Sequence, residues 1–188
     1  MLSAYLSPFY QYVLPSPNAA SMPGLYDKYD TALTTVPSGY SYSSVHGCVL
    51  TNPTGCSCSL VQLHVYYTYS SILQVKNYIT TVNTDPLLFG YVEDTTQSLW
   101  CVPATSASGT CGATMLLARY YNAYTVDHAL GVAGDTTYTS NGYGNEGNQC
   151  YVWPTSMCTT TATVTSSPVP ATVTATVTSS MTCTGNYD

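Results

Sequence analysis

The chain has 188 residues, only 6% of them Lys, Arg, Asp or Glu, and its formal net charge is −6. Two Lys, one Arg and two Glu cannot cover the solvent faces of several amphipathic helices, and three basic residues exclude an electrostatic nucleic-acid binder. A hydrophobic content of 45% with 12% aromatics excludes disorder throughout, and 30 Thr, 21 Ser and 19 Tyr suit half-buried strands.

In chain order, Pro8-Phe9-Tyr10-Gln11-Tyr12 opens a β-rich run that ends at the turn residues Pro15-Ser16-Pro17-Asn18. A weak helical propensity covers 25–33. Gly39-Tyr40 then leads through Cys48-Val49 and the turn Asn52-Pro53-Thr54-Gly55 to Cys56. Val61 to Tyr69 alternates, with Leu63, Val65 and Tyr67 opposite His64, Tyr66 and Thr68, which predicts a strand. After a second weakly helical stretch at 72–82, Gly90-Tyr91 leads through Trp100-Cys101-Val102-Pro103 to Cys111. The pattern returns a third time. Arg119-Tyr120-Tyr121 matches His64-Val65-Tyr66-Tyr67 with its preceding Ala118, 124–133 is again weakly helical, and Ser140-Asn141-Gly142 turns into Tyr143, Cys150-Tyr151-Val152-Trp153-Pro154 and Cys158.

Gly39, Gly90 and Gly142 stand 51 and 52 positions apart, the signature of an internal repeat. Three repeats, about 5–56, 59–111 and 115–158, form one domain over 1–158. The expected fold is all-β: three disulfide-clamped repeats in a pseudo-threefold β-trefoil, with a β-sandwich as the alternative. Eight Cys with no C-x2-C spacing, and His46, His64 and His128 away from the one close pair, read as disulfides of an oxidising compartment rather than a zinc site. The repeat suggests the pairs Cys48–Cys56, Cys101–Cys111 and Cys150–Cys158, each clamping a turn and contributing about 2–3 kcal/mol. Cys58 and Cys183 remain, as a bond within one chain or between two. Met1 to Val13 lacks the basic start and apolar run of a signal peptide, and no run of about 18 apolar residues predicts a transmembrane helix.

After Cys158 the composition changes. Residues 159–182 hold ten Thr, four Ser, two Pro and no charge. Such composition suits an O-glycosylated stalk. Within it, Ala171, Val173, Ala175 and Val177 fall on one face of an extended strand, and Thr172, Thr174, Thr176 and Thr178 on the other, available for O-glycans. An extended segment of this kind can donate a strand to its own domain or to a neighbour. Donation to a neighbour is a head-to-tail contact that generates an open filament. The leading expectation is therefore a non-enzymatic subunit of an extracellular or cell-surface filament, with itself as partner and 159–188 as donor tail.

The third repeat also resembles a family of secreted, lectin-like tandem repeats that read Arg-aromatic-aromatic-Asn, Asp-His, Gly-aromatic-x-x-Glu-Gly and Tyr-Val. The matching residues are Arg119-Tyr120-Tyr121-Asn122, Asp127-His128, Gly142-Tyr143-Gly144-Asn145-Glu146-Gly147 and Tyr151-Val152. The resemblance covers about 40 residues well. The second repeat has no Asp-His and no Arg, and the first has Asp27-Lys28-Tyr29-Asp30 there, so a motif-borne site is expected once. The alternative function that the resemblance implies is a secreted carbohydrate-binding module with a Thr-rich stalk and glycans as partners. Asn122, Asp127, His128, Tyr143 and Glu146 are its candidate sugar contacts, through hydrogen bonds to hydroxyls and ring stacking. The competing reading makes Arg119, Asp127, His128 and Glu146 an internal polar network. Catalytic motifs are absent from the sequence, and Glu93-Asp94 are adjacent rather than opposed. Asp27 and Asp30 read as a surface turn rather than calcium ligands. No enzyme activity, cofactor or metal is expected.

Overall fold

The computed structural model describes residues 6–15, 25–31, 40–54, 56–70, 75–86 and 90–158. The described chain is mostly β-strand with little helix, as the Thr, Val and Tyr content predicts. Its strands are β1 (Leu6–Pro15), β2 (Leu25–Asp30), β3 (Ser41–Leu50), β4 (Val61–Ser70), β5 (Val75–Thr81), β6 (Val92–Glu93), β7 (Leu99–Pro103), β8 (Met115–Asn122), β9 (Asp127–Val132) and β10 (Gly144–Val152). One short α-helix, α1 (Thr136–Ser140), precedes β10, and 3-10 turns lie at Thr110–Gly112 and Thr155–Met157.

All of these strands pair antiparallel in a curled sheet. Its path runs β2-β1-β3-β7-β10-β8-β9, with β4 joined to β7 and carrying β5 and β6. In each third of the chain the first strand lies between two others: β1 between β2 and β3, β4 between β5 and the β6–β7 segment, β8 between β9 and β10. The closing strands meet one another. Leu50 of β3 pairs Trp100 of β7, Val102 and Pro103 of β7 pair Tyr151 and Cys150 of β10, and Cys48 bridges Trp153 just beyond β10. The middle strands β2, β5 and β9 also pack against one another.

Three weakly helical stretches turn out otherwise. Residues 25–30, 75–81 and 127–132 are strands β2, β5 and β9. Each is the partner of a long first strand, and ladder pairing with a tertiary neighbour outweighs a few tenths of a kcal/mol of helix propensity. The helix that does form, α1, is set by Asp135, whose side chain accepts from Thr137 N at 2.8 Å as an N-cap.

The core draws on every third. One cluster joins Phe9, Val49, Leu63, Val65, Leu99 and Leu117; a second, at the end where the closing strands meet, joins Leu6, Leu50, Val102 and Trp153. Tyr12, Tyr66 and Tyr120 are fully buried on the three first strands. In a chain with two Ile and two Phe they join the buried Leu residues in supplying the large apolar area that folding requires. Trp153 Nε1 donates to Cys111 O at 2.7 Å, which satisfies its one polar atom. Gly47 is held at φ +106°, where an added Cβ would lie 2.8 Å from Trp153 O, so β3 reaches β10 only because this residue has no side chain.

Three disulfides are present, and their connectivity corrects the expected one. The bonds are Cys48–Cys158, Cys58–Cys111 and Cys101–Cys150, with Cα–Cα distances of 5.6, 6.4 and 5.9 Å. None of the turn-clamping pairs Cys48–Cys56, Cys101–Cys111 or Cys150–Cys158 forms. Cys101 and Cys150 stand on adjacent, paired strands, β7 and β10, so the nearest thiol comes from another third of the chain. Cys58, expected opposite Cys183, is taken by Cys111. Cys56 is the free cysteine among the described residues, and Cys183 lies outside them.

Candidate functional site

Alternation along β8 builds the site. Ala118 and Tyr120 pack with Tyr138 and Tyr143 on one side of the strand. Leu117, on the other side, lies in the main core, and the same face runs outward to Arg119 and Tyr121 at a cleft of about 420 Å³. Ile79 of β5, Asp85, Pro86 and Tyr91 form the opposite wall, and Val126, His128 and Glu146 complete the lining. β9 places His128 opposite Tyr121, and β10 carries Glu146 in the irregular register between Asn145 and Gly147.

A charged group belongs to the lining. Arg119 Nε donates to Glu146 Oε2 at 2.8 Å, and its NH1 donates to Thr81 Oγ1 at 3.0 Å. Thr81 in turn donates to Gln149 Oε1 at 2.8 Å. His128 Nε2 lies 3.6 Å from the same Glu146 oxygen. Burial pushes the His128 pKa down; Glu146 opposes that shift and Arg119 adds to it, so the imidazole is neutral near pH 7. Its buried Nδ1 has no hydrogen-bond partner among the described residues. Aromatic rings frame it: Tyr121 at 4.6 Å and Tyr91, edge-on, at 6.5 Å between centroids. Burial, then Asp127 and Tyr121, push the Tyr91 pKa up to about 12, so its phenol remains a hydrogen-bond donor.

Val126 at the rim has φ 56°, a left-handed conformation that a β-branched residue adopts only under strain. Asn77 Nδ2 donates to its carbonyl at 3.0 Å and holds the turn there. More than half of its surface is exposed.

The five candidate sugar contacts divide. His128 and Glu146 line the cleft. Tyr143 instead donates to Asp127 Oδ2 at 2.6 Å inside the fold. Asn122 shapes the β8–β9 turn: its Oδ1 accepts from Tyr124 N at 2.9 Å and Thr125 N at 3.2 Å, and its Nδ2 donates to Asn141 O at 3.1 Å. The polar network expected of Arg119, Asp127, His128 and Glu146 thus contains three of the four, with Asp127 bonded to Tyr143 elsewhere. Tyr91 and Tyr121 are not among the sugar contacts expected from sequence, although Tyr91 occupies the Gly-Tyr position of the second repeat and Tyr121 belongs to the Arg119-Tyr120-Tyr121-Asn122 motif.

Other sequence candidates lie apart. Glu93 meets His64 Nδ1 at 2.5 Å, while Asp94 accepts from Thr96 N at 3.2 Å and from its hydroxyl at 2.5 Å in a local turn. Asp27 and Asp30 belong to β2. Among the described residues no group of three or more His, Cys, Asp or Glu is arranged to hold a metal ion, and no helix is long and apolar enough to cross a membrane. The donor-strand residues Ala171, Val173, Ala175 and Val177 and the glycan-acceptor residues Thr172, Thr174, Thr176 and Thr178 lie outside the described residues. No protein-family model, curated protein or solved structure matches the chain.

Proposed function

We propose that the chain is a secreted, non-enzymatic carbohydrate-binding module whose ligand lies in the Arg119–Tyr121–His128–Glu146 cleft. The observation that carries this reading is the convergence there of a guanidinium–carboxylate pair, a neutral imidazole and two half-buried phenols. A carboxylate and imidazole accept or donate to paired hydroxyls, and phenol rings stack on the apolar face of a sugar. Arg119 and Glu146 belong to the lectin-like motif of the third repeat, which supports the same class. Three disulfides suit an extracellular site of action.

The fold proposal that accompanies it is a pseudo-threefold, trefoil-like domain. It is supported by the three first strands with their buried Tyr12, Tyr66 and Tyr120, and by the mutual contacts of β3, β7 and β10.

Screening the full chain on immobilised glycans is the test. Binding that Tyr121→Ala and Glu146→Ala weaken, with thermal stability retained, is the expected result. No glycan bound, or binding indifferent to both substitutions, overturns it.

A second reading keeps the 159–188 tail as a donor strand in an extracellular filament. Cys56 favours it. That thiol packs on the same apolar cluster as Cys158, the last described residue. Cys183 is the one other cysteine outside the three disulfides, so a Cys56–Cys183 bond between two chains would join one tail to the next domain. Truncation after Cys158 separates the readings: loss of high-mass assemblies from a still-folded domain supports the filament, and unchanged monomeric behaviour refutes it.

A further inference from the structure

We propose that the pocket between β1, β3 and the α1 turn, lined by Gln11, Ser44, His46, Asp135, Tyr138 and Asn141, is a second carbohydrate site. The inference rests on reading the larger cleft as a sugar site. It adds one where neither the motif nor its residues occur.

Position is the first argument. The larger cleft is formed by the first and third strands of the last third of the chain, through Arg119 and Tyr121 on β8 and Glu146 on β10. They face β5 and the loop after it, from the middle third. The pocket, of about 200 Å³, is formed by the first and third strands of the first third, through Gln11 on β1 and Ser44 and His46 on β3. They face the 135–141 segment of the last third. Each site therefore lies where one third meets the third before it, taken cyclically. Gln11 precedes the buried Tyr12 as Arg119 precedes the buried Tyr120, and Ser44 pairs Gln11 as Gly147 pairs Arg119. The same corner of the repeat is hollow twice, with different side chains in it.

Chemistry is the second argument. Gln11 is buried and fixed: its Oε1 accepts from Ser44 Oγ at 2.9 Å and His46 Nε2 at 3.0 Å, and its Nε2 donates to Tyr138 OH at 2.9 Å. Tyr138 OH donates onward to Leu130 O at 3.1 Å. Gly131 makes room for this ring, since a Cβ there would fall 2.3 Å from Tyr138 Cε2. Asp135 adds a carboxylate, kept ionised by the backbone and hydroxyl bonds from Thr137. Small donors and acceptors around one carboxylate, with tyrosine behind them, match the alternating hydroxyls of a sugar ring. None of the lining residues is Lys or Arg, which disfavours an anion. At roughly half the volume of the cleft, the pocket suits a single terminal ring. Two sites on one domain raise the avidity for a branched or surface-bound glycan without any new contact.

The test is an amide NMR titration of the full, disulfide-intact chain with D-glucose, D-galactose, D-mannose and N-acetyl-D-glucosamine in turn. The expected result is two separate groups of saturating shifts, one around Tyr121 and Glu146 and one around Ser44 and Asp135. Ser44→Ala with Asp135→Asn, which retains a capping residue at 135, weakens the second group about tenfold and leaves the first unchanged. Glu146→Gln has the converse effect. Shifts confined to the cleft, or pocket shifts indifferent to the Ser44 and Asp135 substitutions, overturn the second site while sparing the first. No shifts at either place with any of the four sugars overturn both.

Discussion

Replacing Gly47 by Ala tests how the first third of the chain closes onto the last. Gly47 has φ +106°, and an added Cβ would lie 2.8 Å from both Trp153 O and Val152 Cγ2. The backbone conformation alone costs an L-residue about 1–2 kcal/mol. The collision adds about 1–3 kcal/mol of overpacking, because Trp153 O is a main-chain atom held by Cys48 N at 2.8 Å and cannot retreat without breaking that bond. The sum is about 2–5 kcal/mol, a large share of the roughly 5–15 kcal/mol of a typical domain. Gly134 supplies the control: it has φ +86° and nothing within 4 Å of its added Cβ, so Gly134→Ala carries the backbone cost alone. Equilibrium urea unfolding with disulfides intact, followed by fluorescence of the buried Trp153, measures the difference. Equal destabilisation of the two variants would refute the closure of β3 on Trp153.

Acid should weaken the fold. Burial lowers the pKa of both His46 and His128 from 6.5, so their contribution is full above pH 6.5 and falls as pH drops toward the lowered native values, because the unfolded chain binds protons that the native one refuses. The urea midpoint should fall between pH 7.5 and 5, and the slope should flatten in His46→Gln/His128→Gln; a slope unchanged in that variant would sink the assignment. Removing Cys101–Cys150, which closes a loop of separation 49, should cost about 4 kcal/mol in the Cys101→Ala/Cys150→Ala variant, against the 2–3 kcal/mol expected of a local clamp. A cost under about 1 kcal/mol would contradict the inter-strand pairing. Tyr143→Phe withdraws the 2.6 Å bond to the buried Asp127 and should destabilise by about 1–3 kcal/mol while leaving sugar binding intact at the Tyr121–Glu146 cleft, whose lining does not include Tyr143; loss of binding at the cleft without loss of stability would place Tyr143 in that site.

Strand character was legible wherever a segment's own pattern carries it. Leu63 and Val65 alternate with half-buried Gln62 and His64 and are buried, because a strand imposes a period of two on its sequence, but Tyr66, on the opposite face, is fully buried as well and Tyr67 only half-buried. The segments 25–30, 75–81 and 127–132 carry no such period, and only pairing with β1, β4 and β8 makes them strands. That error conceals the site. Read as a helix, Asp127-His128 looks like one polar pair. On a strand, successive side chains face opposite ways, so Asp127 turns inward to Tyr143 while His128 enters the cleft.

The cysteines divide in the same way. Their number and the absence of zinc spacing pointed to disulfides, since oxidation state follows from composition and compartment. Which thiols meet depends on strands brought together from different thirds of the chain, and so the short pairs suggested by local spacing gave way to Cys48–Cys158, Cys58–Cys111 and Cys101–Cys150. By itself, then, this sequence determined a charge-poor β protein with disulfides, because composition and local periodicity act within a strand. The partners of those strands, the bonds across them and the cleft at Arg119 were decided only by the tertiary structure, because each depends on a distance between residues far apart in the chain.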